Sequence, residues 1–227
     1  MMLRQRDLGI GRLPQADVPR VSWWFYAPPV LVGLAIRLSY ALLATQPRIP
    51  AGADQYYYRG QAALITHGYW FDVPGSVVHG SPGIPGVAHP PLFSGLLAIA
   101  DLLDLHGTDA QRAFLCVVGV VAVVFCGRIG ARLAGRTGEV VVTWVAVCWP
   151  GMWIYNGQVL SESVTVMLAA ATLVALYRFR ERATAGRASV LGLTVALCTL
   201  TRPELLILVS SLRRCGFPRN RGPGGCR

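Results

Sequence analysis

A carboxylate, Asp54, stands near the start of the one long polar interval in this chain, and His89-Pro90-Pro91 stands near its end. The interval runs from Ala51 to Leu92 and is rich in Gly and Pro. Beyond it, Arg112, Glu162 and Arg202 each lie at the edge of an apolar run, while Tyr57 and Arg59 follow Asp54 closely. These side chains suit one kind of reaction. A carboxylate within hydrogen-bond reach takes the proton from an attacking hydroxyl. Arginines neutralise a departing phosphate, since guanidinium is always charged and grips oxygens in pairs. Burial at the edge of a membrane cleft would raise the pKa of a base such as Asp54 in the useful direction.

Each of these residues also has a plainer reading. Asp54 equally suits the N-cap of a helix over residues 55–66. Arg202 interrupts two apolar runs, where an unpaired arginine is costly, and Glu204 is an internal partner for it. Arg112 reads as a phosphate ligand or an interfacial anchor, and Arg59 as a ligand or a solvated helix residue. Glu162 after Ser161 favours a helix N-terminus; its other roles are sugar binding or, with Asp54, a divalent cation. Two carboxylates leave that metal open. Proline holds His89 extended, so it either touches phosphate or acceptor or simply shapes a turn. Tyr56, Tyr57, Tyr58 and Trp70 stack on a sugar ring or sit at lipid-headgroup level. His67 and His79 lack metal spacing and read as surface residues.

The elements that must position these groups are apolar. Of 227 residues, 53% are hydrophobic and 14% charged, against about 25% charged in an ordinary soluble domain. Runs approaching the ~20 residues that cross a bilayer make the chain an all-α, polytopic helical membrane protein. The net charge of +10 comes from arginine alone, as the sequence holds no lysine. These arginines cluster between apolar runs, which points to cytoplasmic loops and anionic headgroups and away from nucleic acid. Residues 1–22 form a cytoplasmic tail, and 23–44 the first span, retained and interrupted by Arg37, a packing residue or a substrate contact.

Topology then turns on 91–105. If it crosses, Arg128, Arg132, Arg136, Arg178, Arg180, Arg182 and Arg187 all face outward, against the positive-inside rule. The segment is short and carries Asp101 and Asp104, so it reads as an interfacial or re-entrant helix within an external loop, 45–112. Segment 113–131 then runs inward, 127–138 turns in the cytoplasm, 139–155 runs outward, 164–179 inward and 188–200 outward. Asp54, His89, Arg112, Glu162 and Arg202 end on one face. Aromatic residues across 56–71 argue for a folded loop. Cys116, Cys126, Cys148 and Cys198 read as small hydrophobes. The tail 210–227 is Arg-, Gly- and Pro-rich without periodicity; it is expected to be a truncated or frame-shifted end, or else a disordered basic tail.

The order GADQYYYRGQAALITHGYW, AHPPLFSGLLA, Arg112, NGQVLSESVTVML and GLTVALCTLTRPE resembles the N-terminal portion of a GT-C fold glycosyltransferase. It looks like the protein-O-mannosyltransferase-like superfamily (glycosyltransferase family 39) and the related lipid A aminoarabinose and galacturonic acid transferases. The likeness covers roughly residues 23–209. It implies a GT-C-like bundle with a large first external loop and juxtamembrane helices, in a bacterial plasma membrane. It also implies inverting transfer of mannose or another sugar from a polyprenyl-phosphate carrier to an extracytoplasmic protein, lipid or glycan, with Asp54 as base. Such enzymes are about twice this length. Many have Asp-Glu where this chain has Asp54-Gln55, and the lipid A enzymes have Lys-Pro at His89-Pro90. Two rival readings remain: a non-catalytic remnant of such an enzyme, and a transport or lipid-handling protein.

Overall fold

Proline marks where several helices begin, because its missing N–H is spent in a first turn that has no partner for it. Pro28 and Pro29 lie in the first turn of α1 (Ala27–Ser39), which widens into a π-turn over Tyr40–Ala44. Pro91 opens α3 (Pro91–Leu102), and Pro150 begins a 3-10 turn just past the end of α4 (Thr108–Cys148). The others are α2 (Ala53–Thr66), α5 (Glu162–Glu181) and α6 (Ala185–Thr201). This computed structural model describes residues 23–44, 53–70, 72–77, 83–86 and 88–207. The expected N-terminal tail, His79 and the tail 210–227 with Cys215 and Cys226 lie outside the described residues.

One element follows an alternative that the sequence left open, a helix near 55–66, and another departs from the sequence reading. The interval 51–92 contains the fourteen-residue helix α2, which takes in Tyr56, Tyr57 and Tyr58, while Tyr69 and Trp70 lie beyond its end. The run 139–155 stays helical only to Cys148 and continues as 3-10 turns over Pro150–Met152 and Ile154–Gly157. Pro150 explains the stop, since proline disfavours the helical conformation of the residue before it. Segment 91–105 is short, as expected: α3 spans twelve residues, about 18 Å at 1.5 Å per residue. It closes with Asp104 at φ 62° and the amide of Leu105 bonded to the carbonyl of Ala100, a Schellman-type end.

Helix α4 is folded back on itself. Ala134 (φ −141°, ψ 29°) and Gly135 (φ 59°, ψ −146°) leave the helical region, inside the expected turn 127–138. The Gly135 conformation is one that only glycine adopts readily. The limbs 108–133 and 136–148 run antiparallel and touch at Gly130 and Gly138, where a Cβ on either would collide with the other's carbonyl oxygen. Small residues at such a crossing let two backbones approach closely. Helix α1 lies beside this hairpin, with Ile36 packed on Val123, Ala146 and Val147. A second core joins Tyr58 and Ala62 of α2, Phe93 and Leu97 of α3, Leu115, Val159, Val164 and Leu168, and Cys198 of α6.

The contacts define two ends. At one, the hydroxyl of Tyr26 donates to the fully buried Glu139, which also accepts from Arg136 (3.2 Å) and Arg128 (3.4 Å). The Arg136 guanidinium lies 3.6 Å from the centre of the Phe25 ring, and Arg132 and Arg187 pair with Glu181. At the other end, Tyr40 stacks edge-on against Trp153 (5.0 Å), and the chain between α4 and α5 meets α2. Among the described residues, three helical stretches are long and apolar enough to cross a membrane: 27–44, the folded-back 108–148, and 162–181. Helix α6, the expected span 188–200, has seventeen residues and falls among the shorter apolar helices.

Candidate active site

Asp54 sits in the first turn of α2, where a carboxylate faces the positive end of the helix dipole. Tyr57 and Tyr58 follow three and four residues later, hence on the same side one turn along. The His89 ring rests on both, at 4.7 Å and 4.9 Å, and its Nε2 lies 3.5 Å from Asp54 Oδ1. Tyr57 accepts a hydrogen bond from the backbone N–H of Ala88 (3.0 Å), which fixes the chain just before His89. Pro90 and Pro91 then start α3, whose Phe93 meets the Tyr58 ring edge-on at 4.8 Å. Asp54 remains 59% exposed and His89 27%. The carboxylate is therefore steered from one side and accessible from the other.

Tyr58 links this pair to the far part of the chain. Its hydroxyl lies 3.4 Å from Ser161 Oγ, and Ser161 is buried immediately before α5. Burial pushes the Tyr58 phenol above its ordinary range; the Ser161 bond opposes this, Asp54 and Glu162 add to it, and Arg202 opposes it. Tyr58 therefore stays protonated, a hydrogen-bond donor, near neutral pH. Next to Ser161, Glu162 pairs with Arg202 at the C-terminal end of α6. The expected partner, Glu204, is not the one Arg202 takes. The chain turns out of α6 at Arg202 (φ −149°, ψ 108°), aiming its side chain at the first turn of α5, where Glu162 stands.

The remaining candidates flank this group. Arg112, buried in the second turn of α4, pairs with Asp109 at 3.0 Å. Arg59 lies one turn beyond Asp54 on α2, and its buried Nε has no hydrogen-bond partner among the described residues. Tyr57, read as a sugar-stacking or headgroup-level ring, packs on His89 and accepts from the Ala88 amide. His67 is exposed and hydrogen-bonds Ala63 O. Among the described residues, no three His, Cys, Asp or Glu side chains converge as a metal would require. Cys116, Cys126, Cys148 and Cys198 carry free thiols.

Three positioning residues escaped the sequence reading. Gln55, noted only for the carboxylate it replaces, accepts a hydrogen bond from the Val159 amide (3.2 Å) and holds the segment before α5 against α2. Asn156 is fully buried; its Nδ2 donates to Leu115 O (2.8 Å) and Ser163 Oγ (3.0 Å), tying the α4–α5 connection to α4. Ser161 stands at the start of α5, where its side chain makes no cap bond and its hydroxyl meets Tyr58 instead. Comparison with known proteins finds no matching family model, no similar curated protein and no similar solved structure.

Proposed function

We propose that this chain is a membrane glycosyltransferase domain of GT-C type. On this reading it moves a sugar, mannose or another hexose or pentose, from a polyprenyl-phosphate carrier to an extracytoplasmic protein, lipid or glycan. One observation carries the reading. A half-exposed carboxylate with a histidine beside it and an arginine–glutamate pair share one end of a helical bundle, and the arginine-rich turns occupy the other. The positive-inside rule would keep those turns cytoplasmic and turn the Asp54 end outward, in a bacterial plasma membrane.

The chemistry follows from the side chains. Asp54 takes the proton of the acceptor hydroxyl as that oxygen attacks the anomeric carbon from the face opposite the phosphate. Inversion results, and the carrier phosphate leaves with the bonding pair. His89 stands 3.5 Å behind the carboxylate, where it orients the base. Arg202 meets the leaving phosphate by exchanging Glu162 for a phosphate oxygen, a modest exchange because both partners are partly exposed.

The test uses membranes carrying the protein and radiolabelled polyprenyl-phosphate sugars. Asp54→Asn keeps the shape and removes the base, so transfer should fall by about 10²–10⁴-fold. Transfer at the unaltered rate would remove Asp54 from the mechanism.

A further inference from the structure

Helix α5 gives way to α6 through a short turn, 182–184, that sets the start of one beside the end of the other. Thr184 caps α6 by accepting from the Arg187 amide (3.4 Å), and the Arg187 side chain reaches back over the end of α5. Its Nη1 donates to Arg178 O (2.5 Å), a carbonyl in the last turn of α5, where the helix dipole is negative. The same nitrogen lies 3.8 Å from Glu181 Oε2. Arg132, at the end of the limb 108–133 of α4, pairs with the other oxygen of that carboxylate.

Two guanidiniums thus share one carboxylate, and the group as a whole is positive. Arg128, Arg178 and Arg187 all bring like charge to bear on Arg132. Arg178 is exposed, and its guanidinium has no hydrogen-bond or carboxylate partner among the described residues. The described acidic residues at this end, Glu139 and Glu181, already pair with arginines. Like charges held this close repel, and an anion among them relieves the repulsion. Phosphate oxygens suit guanidinium geometry best.

The position of the cluster decides whose phosphate it is. Arg178 and Glu181 stand in the last turn of a helix long and apolar enough to cross a membrane, so the cluster falls at the level of lipid headgroups. Exposed apolar side chains adjoin it: Leu133 follows Arg132, and Val190 lies one turn beyond Arg187. A phosphodiester carrying acyl chains meets both the charge and the apolar border, whereas a free anion uses only the charge. A zwitterionic lipid would bring a cation to a site that already has too many.

We infer that Arg132, Arg178 and Arg187, gathered around Glu181, bind the phosphate of an anionic phospholipid at the arginine end of the bundle. The site rests on the membrane placement proposed above and does not require sugar transfer.

Thermal unfolding of the purified full chain in neutral detergent tests it. Three additions are compared: phosphatidylglycerol, phosphatidylcholine with the same acyl chains, and inorganic phosphate. Detergent defines no leaflet and no sugar is moved, so the result stands apart from the orientation and from the transferase reading. Phosphatidylglycerol should raise Tm by several degrees, and the other two should leave it nearly unchanged. An equal rise with phosphatidylcholine, or no rise with any of them, overturns the inference. An equal rise with inorganic phosphate assigns the cluster to a free anion and overturns the lipid. Arg178→Gln removes an exposed charge that makes no side-chain bond among the described residues. It should raise the phosphatidylglycerol concentration giving half the effect by about fivefold, the weight of one basic side chain at a headgroup. Arg180→Gln makes the same change in net charge about 200° further around α5, and should shift that concentration by less than about twofold, because Arg180 is not among the charges acting on Arg132. Equal shifts in the two variants would mean diffuse attraction to this end of the molecule, and no site.

Discussion

Tyr58, and not its neighbour Tyr57, is the side chain on which the candidate site turns. It touches His89, Phe93 and Ser161, and so joins α2, α3 and the start of α5. Its phenol holds its proton more tightly in the folded chain than in the unfolded one, chiefly because it is buried. The resulting stabilisation is complete below the ordinary tyrosine pKa of about 10 and is lost as pH rises through the higher folded value. Tyr58→Phe lacks this titration. Between pH 9 and 11.5, the unaltered chain should therefore lose more Tm than Tyr58→Phe does, as followed by unfolding in detergent. Parallel curves would show that Tyr58 does not bury its phenol in this way. Asp54 and His89 could be named from sequence because carboxylate and His-Pro-Pro flank a polar interval. Tyr58 could not be singled out, since three adjacent tyrosines look alike until packing distinguishes them.

Among the elements, the folded-back α4 has the sharpest requirement. Gly135 at φ 59° and ψ −146° lies where a Cβ is strained, and the close limbs at Gly130 and Gly138 leave no slack to relieve it. Gly135→Ala should destabilise the chain by about 1–3 kcal/mol. Unfolding titrations in detergent read this directly, and an unchanged midpoint would mean that the turn has another conformation. The tip is then clasped to α1. Glu139 is buried, accepts from Tyr26 and is flanked by Arg128 and Arg136. Glu139→Ala leaves the Tyr26 hydroxyl and two cations without their shared acceptor. Because both arginines retain some access to solvent, the loss should fall at the low end for a broken buried pair, about 3 kcal/mol. The same unfolding titration measures it, and a loss under 1 kcal/mol would show that the clasp is peripheral.

For the whole molecule, the proposed orientation is testable apart from catalysis. Leu105 lies just past α3, at the Asp54 end, and Arg182 just past α5, at the arginine end. Reporters fused after these two residues should read as extracytoplasmic and cytoplasmic respectively. If both read the same, the bundle does not span the membrane as proposed, whatever its chemistry. The sequence by itself determined that the chain is helical, the shortness of 91–105 and the separation of arginine-rich turns from Asp54, Glu162 and Arg202, but not that the run 139–155 leaves the helix at Cys148. Those features follow from apolar run length and charge order, which are local. Only the tertiary structure decided that Arg202 takes Glu162 and not Glu204, that Gln55 holds Val159, and that Tyr26 clasps Glu139. The last two join residues 104 and 113 positions apart. No run length or charge order specifies such contacts. They arise where helices converge and each buried polar atom must find whichever partner packing has brought within reach.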